Sequence, residues 1–177
     1  MIEIRPATTD DINFIMELER LGFHPSINET KSTMIERLNT FADGFLIMTD
    51  QSIPIGYISS ELWPAHTQSL SSFINSFKLD HSIQNVHDNK NTKLYISSMT
   101  IHPDHRSKSL GRKLFNACIE RIVQSYHIES IILLVNENWT TARLIYQKEN
   151  FQEIGIIPSF FIPGESGIIM RKELCLA

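Results

Sequence analysis

A strand, a helix and a second strand follow one another between Leu94 and Val135. Leu94–Ile101 is rich in strand-forming residues, and Ile131–Val135 is an almost uninterrupted aliphatic run, typical of a strand that is buried on both faces. Between them, from Leu110 onward, apolar residues recur at helical steps of three and four: Leu114, Phe115, Cys118, Ile122, Val123 and Tyr126. This order forms a right-handed crossover, so the sequence predicts two neighbouring parallel strands.

The N-terminal part predicts one strand and two helices. Ile2–Pro6 alternates apolar and polar residues and stops at the proline. Thr8–Asp11 offers capping oxygens and negative charge at a helix start. The apolar face of this helix is Ile12, Ile15, Met16, Leu18 and Leu21. A second helix from about Glu29 to Leu38 is expected to bury Met34, Ile35 and Leu38.

The rest of the chain predicts strands around one further helix. Phe45–Thr49 and Ile55–Leu62 suit an antiparallel hairpin, because the residues between them are typical of a turn. Trp139–Lys148 predicts a short helix that ends at Asn150, a residue type that tolerates the left-handed backbone conformation. Two final strands, Phe151–Ile157 and Gly167–Leu174, are expected to be joined through Pro158, Pro163 and Gly164.

Length and composition favour one domain. With 177 residues and 42% hydrophobic content, residues 1–177 are expected to form a single domain with an insertion at about 63–93. The insertion is rich in polar residues, and four of its apolar residues have helical spacing: Leu70, Phe73, Ile74 and Phe77.

Charge and cysteine content exclude several kinds of partner. The formal charge is -4 and the chain has no basic run, so nucleic acid is not expected to bind. Cys118 and Cys175 form no C-x-x-C pair, and no apolar stretch approaches the roughly 20 residues that span a bilayer. We therefore expect a soluble cytoplasmic protein that does not bind membranes, and a homodimer is compatible with these features.

The loop from His102 to Arg112 has the chemistry of an anion-binding turn. It leads from a strand into a helix, whose N-terminus offers unpaired N–H groups and a partial positive charge. Three basic residues add charge and two small residues let the backbone approach a diphosphate: Arg106, Lys108, Arg112, Ser109 and Gly111. The alternative is a capped surface helix with solvated basic residues, and the flanking sequence favours the anion site.

Three segments resemble the GNAT superfamily of N-acetyltransferases. Met99–Gly111 is similar to the family's strand that ends in apolar-x-Pro-x-x-Arg and continues as Arg/Gln-x-x-Gly-x-Gly/Ala. Ala142–Phe151 resembles the signature Ala-x-x-x-Tyr-x-Lys-x-Gly-Phe, and Ile2–Asp11 resembles the usual first strand and helix. Together these segments cover most of the chain outside the insertion.

The sequence departs from the family pattern at three positions. Ser109 replaces the first glycine of the loop, so its β-carbon would crowd a phosphate. Asn150 replaces the glycine of the later signature, which the left-handed backbone allows. Trp139 stands where the family often has an asparagine that contacts the cofactor, and Asn138 lies one place early.

The resemblance implies both a fold and an activity. The fold is α/β (α+β), the GNAT fold: a mixed, mostly antiparallel, twisted sheet of six to seven strands with about four helices packed on both faces. The activity is N-acetyl transfer from acetyl-CoA to a primary amine of a small molecule or protein, by direct attack in a ternary complex.

The resemblance also assigns roles to residues. A backbone N–H of the strand Met99–Ile101 would polarise the thioester carbonyl. The expected cofactor-binding residues are Met99, Thr100, Ile101, Arg106, Ser107, Lys108, Ser109, Leu110, Gly111 and Arg112. Tyr146 is the expected catalytic acid that protonates the leaving thiolate, and core packing is its alternative role.

The base that takes the proton of an ammonium group is not identified by the sequence. The family places a glutamate or histidines near Tyr95 and Ser97, and neither type occurs at positions 95–98. Four residues are candidates by chemistry alone, with an ordinary surface position as the alternative for each: Glu61, His66, His81 and His87.

His102 and His105 lie three residues apart, which makes them candidate metal ligands. Pro103 interrupts any helix between them, no third ligand is near in sequence, and the family needs no metal. No metal is therefore expected.

Two other functions remain open from the sequence. An acyl-CoA-binding module without turnover would suit the missing acidic residue and Ser109. A regulatory, partner-binding domain would need an exposed apolar patch, such as Phe73, Ile74 and Phe77.

Overall fold

A computed structural model describes residues 1–65, 73–106 and 109–174. Its single sheet contains seven strands: β1 (Ile2–Pro6), β2 (Phe45–Asp50), β3 (Ile53–Trp63), β4 (Lys93–Ile101), β5 (Ser130–Asn136), β6 (Gln152–Ile162) and β7 (Glu165–Glu173). The helices of nine or more residues in this part of the chain are α1 (Ile12–Gly22), α2 (Lys31–Thr40), α3 (Leu110–Ser125) and α4 (Thr140–Lys148).

The strand order across the sheet is β1-β2-β3-β4-β5-β7-β6. β4 and β5 are parallel, and every other neighbouring pair is antiparallel. This arrangement confirms the predicted fold class and the parallel crossover from β4 through α3 to β5.

Helices cover both faces of the sheet. Along β2, Leu46 and Met48 pack with the buried residues of α3, whereas Phe45 and Ile47 pack with those of α1 and α2. Because successive residues of a strand point to opposite faces, α3 lies on one face and α1 and α2 lie on the other.

Two aromatic residues of the inserted segment between β3 and β4 pack on the face opposite α3, whereas Ile83 of the same segment packs with the cluster of α3. Phe73 and Phe77 are 6% and 5% exposed, and they form a cluster with Trp63, Tyr95 and Ile132. Phe73 and Phe77 therefore do not supply the exposed apolar patch that the partner-binding alternative would require, and that alternative loses the feature that supported it. Two residues named from the sequence, the base candidate at 66 and the apolar position at 70, lie outside the described residues.

The second helix begins two residues later than predicted. Thr30 is its N-cap, and the Thr30 hydroxyl accepts a hydrogen bond from the backbone N–H of Thr33 at 3.3 Å. Glu29 consequently lies outside the helix, in the connection that follows α1. This shift matters because it leaves the Glu29 side chain available to the site described below.

Two further predictions are corrected. β6 continues through Pro158 to Ile162, so that only Pro163 and Gly164 form the turn before β7. A proline is compatible with this position because β6 is the edge strand of the sheet. Val123 is 41% exposed and does not belong to the buried face of α3.

Candidate active site

β4 and β5 separate halfway along their length. Their parallel ladder joins Lys93–Ile96 to Ser130–Leu133 and stops there. At the same point β4 contains a bulge, because Ser60 of β3 pairs with Ile96 and Ser59 pairs with Ser98, which leaves Ser97 without an opposite residue. A cavity of about 200 Å³ is lined by the diverging strands, at Ile96–Met99 and Leu133–Val135.

The predicted cofactor residues meet at one end of this opening. Met99, Thr100, Ile101 and Arg106 line an adjoining groove of about 590 Å³. The Arg106 guanidinium also holds the loop against the strand, since its Nε donates a hydrogen bond to the Ile101 carbonyl at 3.1 Å. Positions 107 and 108 lie outside the described residues, so the central part of the expected diphosphate loop is not described.

The start of α3 carries the remaining predicted residues. Gly111 and Arg112 line a small apolar pocket of about 110 Å³ together with Met99 and Tyr146. Arg112 forms an ion pair with Glu149 at 2.5 Å. A β-carbon added to Gly111 would meet only Ile101, at 3.8 Å, so the packing of the described residues does not require a glycine here.

Ser109 precedes Leu110, the first residue of α3, and has a left-handed backbone. Its φ is 57° and its ψ is 13°, a conformation that favours glycine. The left-handed backbone is therefore one reason for the family's glycine at this position, and the expected closeness of a phosphate is another. Asn150 has φ 67°, which confirms the predicted left-handed residue after α4.

Tyr146 lies on α4 and lines both the 200 Å³ cavity and the 110 Å³ pocket. Its ring packs against Phe115 and Phe151, with centroids 5.5 and 5.8 Å away. Burial raises the pKa of the Tyr146 hydroxyl to about 12, so the group carries its proton at neutral pH. That hydroxyl makes no hydrogen bond to any residue in the described ranges, which leaves its proton available to a ligand in the cavity.

Two glutamates that sequence analysis missed line the same cavity. Glu19 of α1 is 1% exposed and accepts hydrogen bonds from the Tyr57 hydroxyl and, at 2.8 Å, from the backbone N–H of Glu29. Glu29 is 8% exposed, and its Oε1 accepts from Arg37 at 3.1 Å. The second carboxylate oxygen of Glu29, Oε2, accepts no hydrogen bond from a donor among the described residues, although the Asp80 side chain interacts with the Glu29 carboxyl through a hydrogen bond.

The surroundings of these glutamates favour their protonated forms. Burial raises the pKa of Glu19, and burial raises the pKa of Glu29 to about 7 although the Arg37 charge opposes the shift. Asp80 also interacts with Glu29; burial opposes ionisation of Asp80, but hydrogen bonds led by the Thr30 backbone N–H lower its pKa. A carboxylate with a pKa near 7 is suited to accept and release a proton at neutral pH.

The base candidates named from sequence lie elsewhere. Glu61 is fully buried, and its carboxylate is held by Arg37, by the Trp63 indole N–H at 2.9 Å and by His81 at 2.8 Å. His87 accepts the backbone N–H of Leu62 at 3.0 Å, and its ring lies 4.3 Å from that of Phe41. None of these three candidates lines the cavity.

Three aromatic side chains form one wall shared by the cavity and the groove. The Trp139 ring lies 6.0 Å from that of Phe23 and 5.4 Å from that of Phe161. Trp139 therefore supplies an apolar surface in place of the asparagine that the family often has. Asn138, the residue before Trp139, donates its backbone N–H to Oδ1 of Asn136 at 2.9 Å.

The described residues contain no grouped metal ligands and no helix that could cross a bilayer. His102 accepts the backbone N–H of Asp104 at 3.2 Å, which caps a single short turn. In residues 1–65, 73–106 and 109–174, no three side chains of His, Cys, Asp or Glu are grouped as metal ligands. Within those ranges, no helix has the length and hydropathy needed to cross a bilayer.

Comparison with known proteins matches residues 12–151 to the acetyltransferase (GNAT) family. An N-alpha-acetyltransferase of Saccharolobus solfataricus is 23% identical over 172 residues, which are 97% of this chain and 92% of that protein. A spermine/spermidine N(1)-acetyltransferase of Bacillus subtilis is 32% identical over 87 residues, 49% of this chain and 54% of that protein. The crystal structure of Arabidopsis thaliana NAA60 in complex with a bisubstrate analogue superposes with a TM-score of 0.77 at 14% identity, and covers 100% of both chains.

Proposed function

The chain belongs to the acetyltransferase (GNAT) family, and from that premise we propose that it acetylates the α-amino group of a polypeptide. Acetyl transfer to an amine is the activity of the family and of its relatives. A relative that aligns over almost the whole chain is an N-alpha-acetyltransferase. The structural observation that carries the proposal is the unpartnered Oε2 of Glu29, on a residue that lines the cavity between β4 and β5.

Acetyl-CoA is the proposed acetyl donor, and the residues present fit it. The β4 backbone beyond Ile96 is paired with β3 but not with β5, so the amides that point away from β3 are available to a ligand. The left-handed turn at Ser109 and the open space beside Gly111 leave room for a diphosphate at the N-terminus of α3. Arg106 lines the 590 Å³ groove and Arg112 lines the 110 Å³ pocket, and both supply positive charge.

The reaction follows from groups around one cavity. Glu29 takes a proton from the ammonium group of the acceptor, and the neutral nitrogen then attacks the thioester carbonyl. A backbone N–H within Met99–Ile101 stabilises the oxyanion, a contribution of about 3 kcal/mol. The carbon–sulfur bond breaks, and Tyr146 donates its proton to the leaving thiolate. The nitrogen releases its second proton as the amide forms, and that proton restores the Tyr146 hydroxyl. The products are the acetylated amine and free coenzyme A.

The lower pKa of an α-ammonium group makes an α-amino acceptor easier to deprotonate than a lysine side chain, and this difference is the same for any base. With the pKa of Glu29 at about 7, taking a proton from an α-ammonium of pKa about 8 costs about 1.4 kcal/mol. The same transfer from an alkylammonium of pKa about 10.4 costs about 4.6 kcal/mol. The difference of about 3 kcal/mol corresponds to more than a hundredfold in the population of neutral amine.

The shape of the cavity suits direct attack on a bound polypeptide terminus. Phe23, Trp139 and Phe161 form an apolar wall that can hold the first side chain of a peptide. No cysteine in the described ranges lines the cavity, because Cys118 is buried against Ser60 instead. These features support a ternary complex without an acetylated enzyme intermediate.

A polyamine is the second candidate acceptor. Glu19 and Glu29 both line the cavity, and paired carboxylates are a site where a polycationic amine would bind. The Bacillus subtilis relative, which aligns with about half of this chain, is a spermine/spermidine acetyltransferase. The acceptor assay below separates the two candidates.

The proposal includes the cellular setting. The net charge of -4 gives no support to a nucleic-acid partner, and the thiol of Cys118 is free and buried, as suits a reducing cytoplasm. We therefore place the reaction in the cytoplasm, on a single catalytic domain.

The decisive experiment compares matched acceptors with acetyl-CoA and follows release of the coenzyme thiol. One peptide has a free N-terminus and no lysine, and its partner has a blocked N-terminus and one internal lysine. Spermine is the third acceptor. We expect the free N-terminus to react fastest, with initial-rate lines that intersect, as for a ternary complex.

Three outcomes would contradict the proposal in different ways. Preference for spermine would replace the acceptor class. Parallel initial-rate lines would indicate an acetylated enzyme. Binding of coenzyme A without thiol release for any acceptor would favour a binding module.

A further inference from the structure

We propose that His81, in the segment inserted between β3 and β4, is a positioning residue that acts on Glu29 through Glu61 and Arg37. The inference rests on the proposed role of Glu29 as the base. It gives the insertion a part in catalysis, although His81 itself does not line the cavity.

The hydrogen bonds of His81 show its protonation state. Its Nδ1 lies 2.9 Å from the Lys78 carbonyl oxygen, and its Nε2 lies 2.8 Å from Oε2 of Glu61. Although burial opposes it, the hydrogen bond from His81 lowers the pKa of Glu61, so Glu61 is ionised. A carbonyl and an ionised carboxylate only accept, so both ring nitrogens carry protons. Although burial opposes it, the contact with Glu61 raises the pKa of His81, in agreement with an imidazolium.

Glu61 transmits this contact to Arg37. While Oε2 of Glu61 is held by His81, Oε1 lies 3.3 Å from Nε of Arg37. The Arg37 side chain is 1% exposed, and its Nη2 reaches Oε1 of Glu29 at 3.1 Å. One guanidinium thus lies between two carboxylates. It donates a hydrogen bond to Oε1 of Glu29, whereas its contact with Glu61 is an ion pair without hydrogen-bond geometry. The chain of contacts therefore fixes the orientation of Glu29.

Charge balance links His81 to the ionisation of Glu29. His81 and Arg37 provide two positive charges, which match Glu61 and Glu29 when both are ionised. Three further groups act on these residues: Glu19 and Asp80 interact with Glu29, and Tyr95 packs against His81 with its pKa raised by burial. If His81 loses its charge, Arg37 alone faces two carboxylates, and Glu29 binds its proton more tightly.

Aromatic residues of β3 and β4 hold His81 in place by packing. The His81 ring lies 5.9 Å from that of Trp63 and 6.1 Å from that of Tyr95, and its side chain is 10% exposed. Trp63 also donates to Glu61, so aromatic packing and hydrogen bonding keep the same geometry.

The first test compares the pH profiles of wild type, His81→Gln and His127→Gln. The His127 side chain is 64% exposed and serves as the matched control. In His81→Gln the acid limb of kcat/KM should move up by about half a unit to one unit, because a positive charge near Glu29 is lost. At pH 6.5 the rate should fall about 3- to 10-fold, and at pH 9 it should stay within about twofold of wild type.

The second measurement does not depend on turnover. Nitrogen NMR of the histidine side chains in the wild-type protein should show His81 doubly protonated at pH 7, and carboxyl-carbon NMR should show a higher pKa for Glu29 in His81→Gln. A neutral His81, or a Glu29 titration unchanged by the substitution, would overturn the inference. So would a uniform loss of activity at all pH values, which would indicate structural damage. If no amine is acetylated but both NMR results hold, the electrostatic link stands and the function of Glu29 is what fails.

Discussion

Replacing Glu29 with Gln should make the protein more stable and less active. The pKa of Glu29 rises from 4.5 to about 7 on folding. Its proton is therefore bound more tightly in the folded chain, which gives stability that is complete below pH 4.5 and is lost as the pH rises through 7. Full ionisation of Glu29 lowers the free energy of unfolding by about 3 kcal/mol.

Glutamine keeps the shape of the protonated side chain and cannot ionise. In Glu29→Gln the gain in the free energy of unfolding should grow from well under about 1 kcal/mol at pH 4.5 to about 3 kcal/mol at pH 8. At pH 8, kcat/KM of Glu29→Gln should be at least about 100-fold lower than that of the wild type, because the base is lost. Wild-type kcat/KM should decline below about pH 7, where Glu29 becomes protonated.

The assays are urea unfolding at several pH values and thiol release with the peptide acceptor. Glu17→Gln is the matched control, since Glu17 is an exposed carboxylate on α1. A gain in stability that is the same at pH 4.5 and pH 8 would show that the pKa of Glu29 is not raised. Full activity of Glu29→Gln at pH 8 would remove Glu29 as the base.

Three further substitutions test the donor side of the site. Tyr146→Phe should lower kcat by about 100-fold while coenzyme A affinity is kept, because only the acid is removed; unchanged turnover at every pH would leave Tyr146 as packing. Ser109→Gly should raise the free energy of unfolding by about 1 kcal/mol, since the left-handed backbone no longer carries a β-carbon; equal urea midpoints would contradict this. Gly111→Ala should leave stability within about 0.5 kcal/mol but weaken coenzyme A binding about tenfold by calorimetry; unchanged affinity would place the diphosphate elsewhere.

The fold and the donor side of the site were predictable because their signals are local. The crossover from β4 to β5 follows from a helix of period near 3.6 between two strand-forming runs. The left-handed residue at Asn150 and the start of α3 at Leu110 follow from short-range turn chemistry. Tyr146 and the loop residues were named because a motif keeps them at fixed spacing, and their roles remain predictions.

The acceptor side could not be predicted in the same way, because its residues come from distant parts of the chain. Glu19 occupies a position with helical spacing from Ile12 and Ile15, so a charged residue on a buried face was the one available signal. Glu29 was hidden by the expectation that it began α2, whereas the Thr30 cap places it before the helix. Glu61 and His81 were each named from the sequence as a separate candidate base, whereas in the structure they contact each other.

The sequence alone determined the order of helices and strands and the family, and it predicted the cofactor loop, since these depend on periodicity and on residues close together in the chain. Only the tertiary structure decided which carboxylates reach the cavity and how they are charged. A pKa depends on burial and on charges within a few ångströms, and folding brings those together from α1, α2, β3 and the insertion.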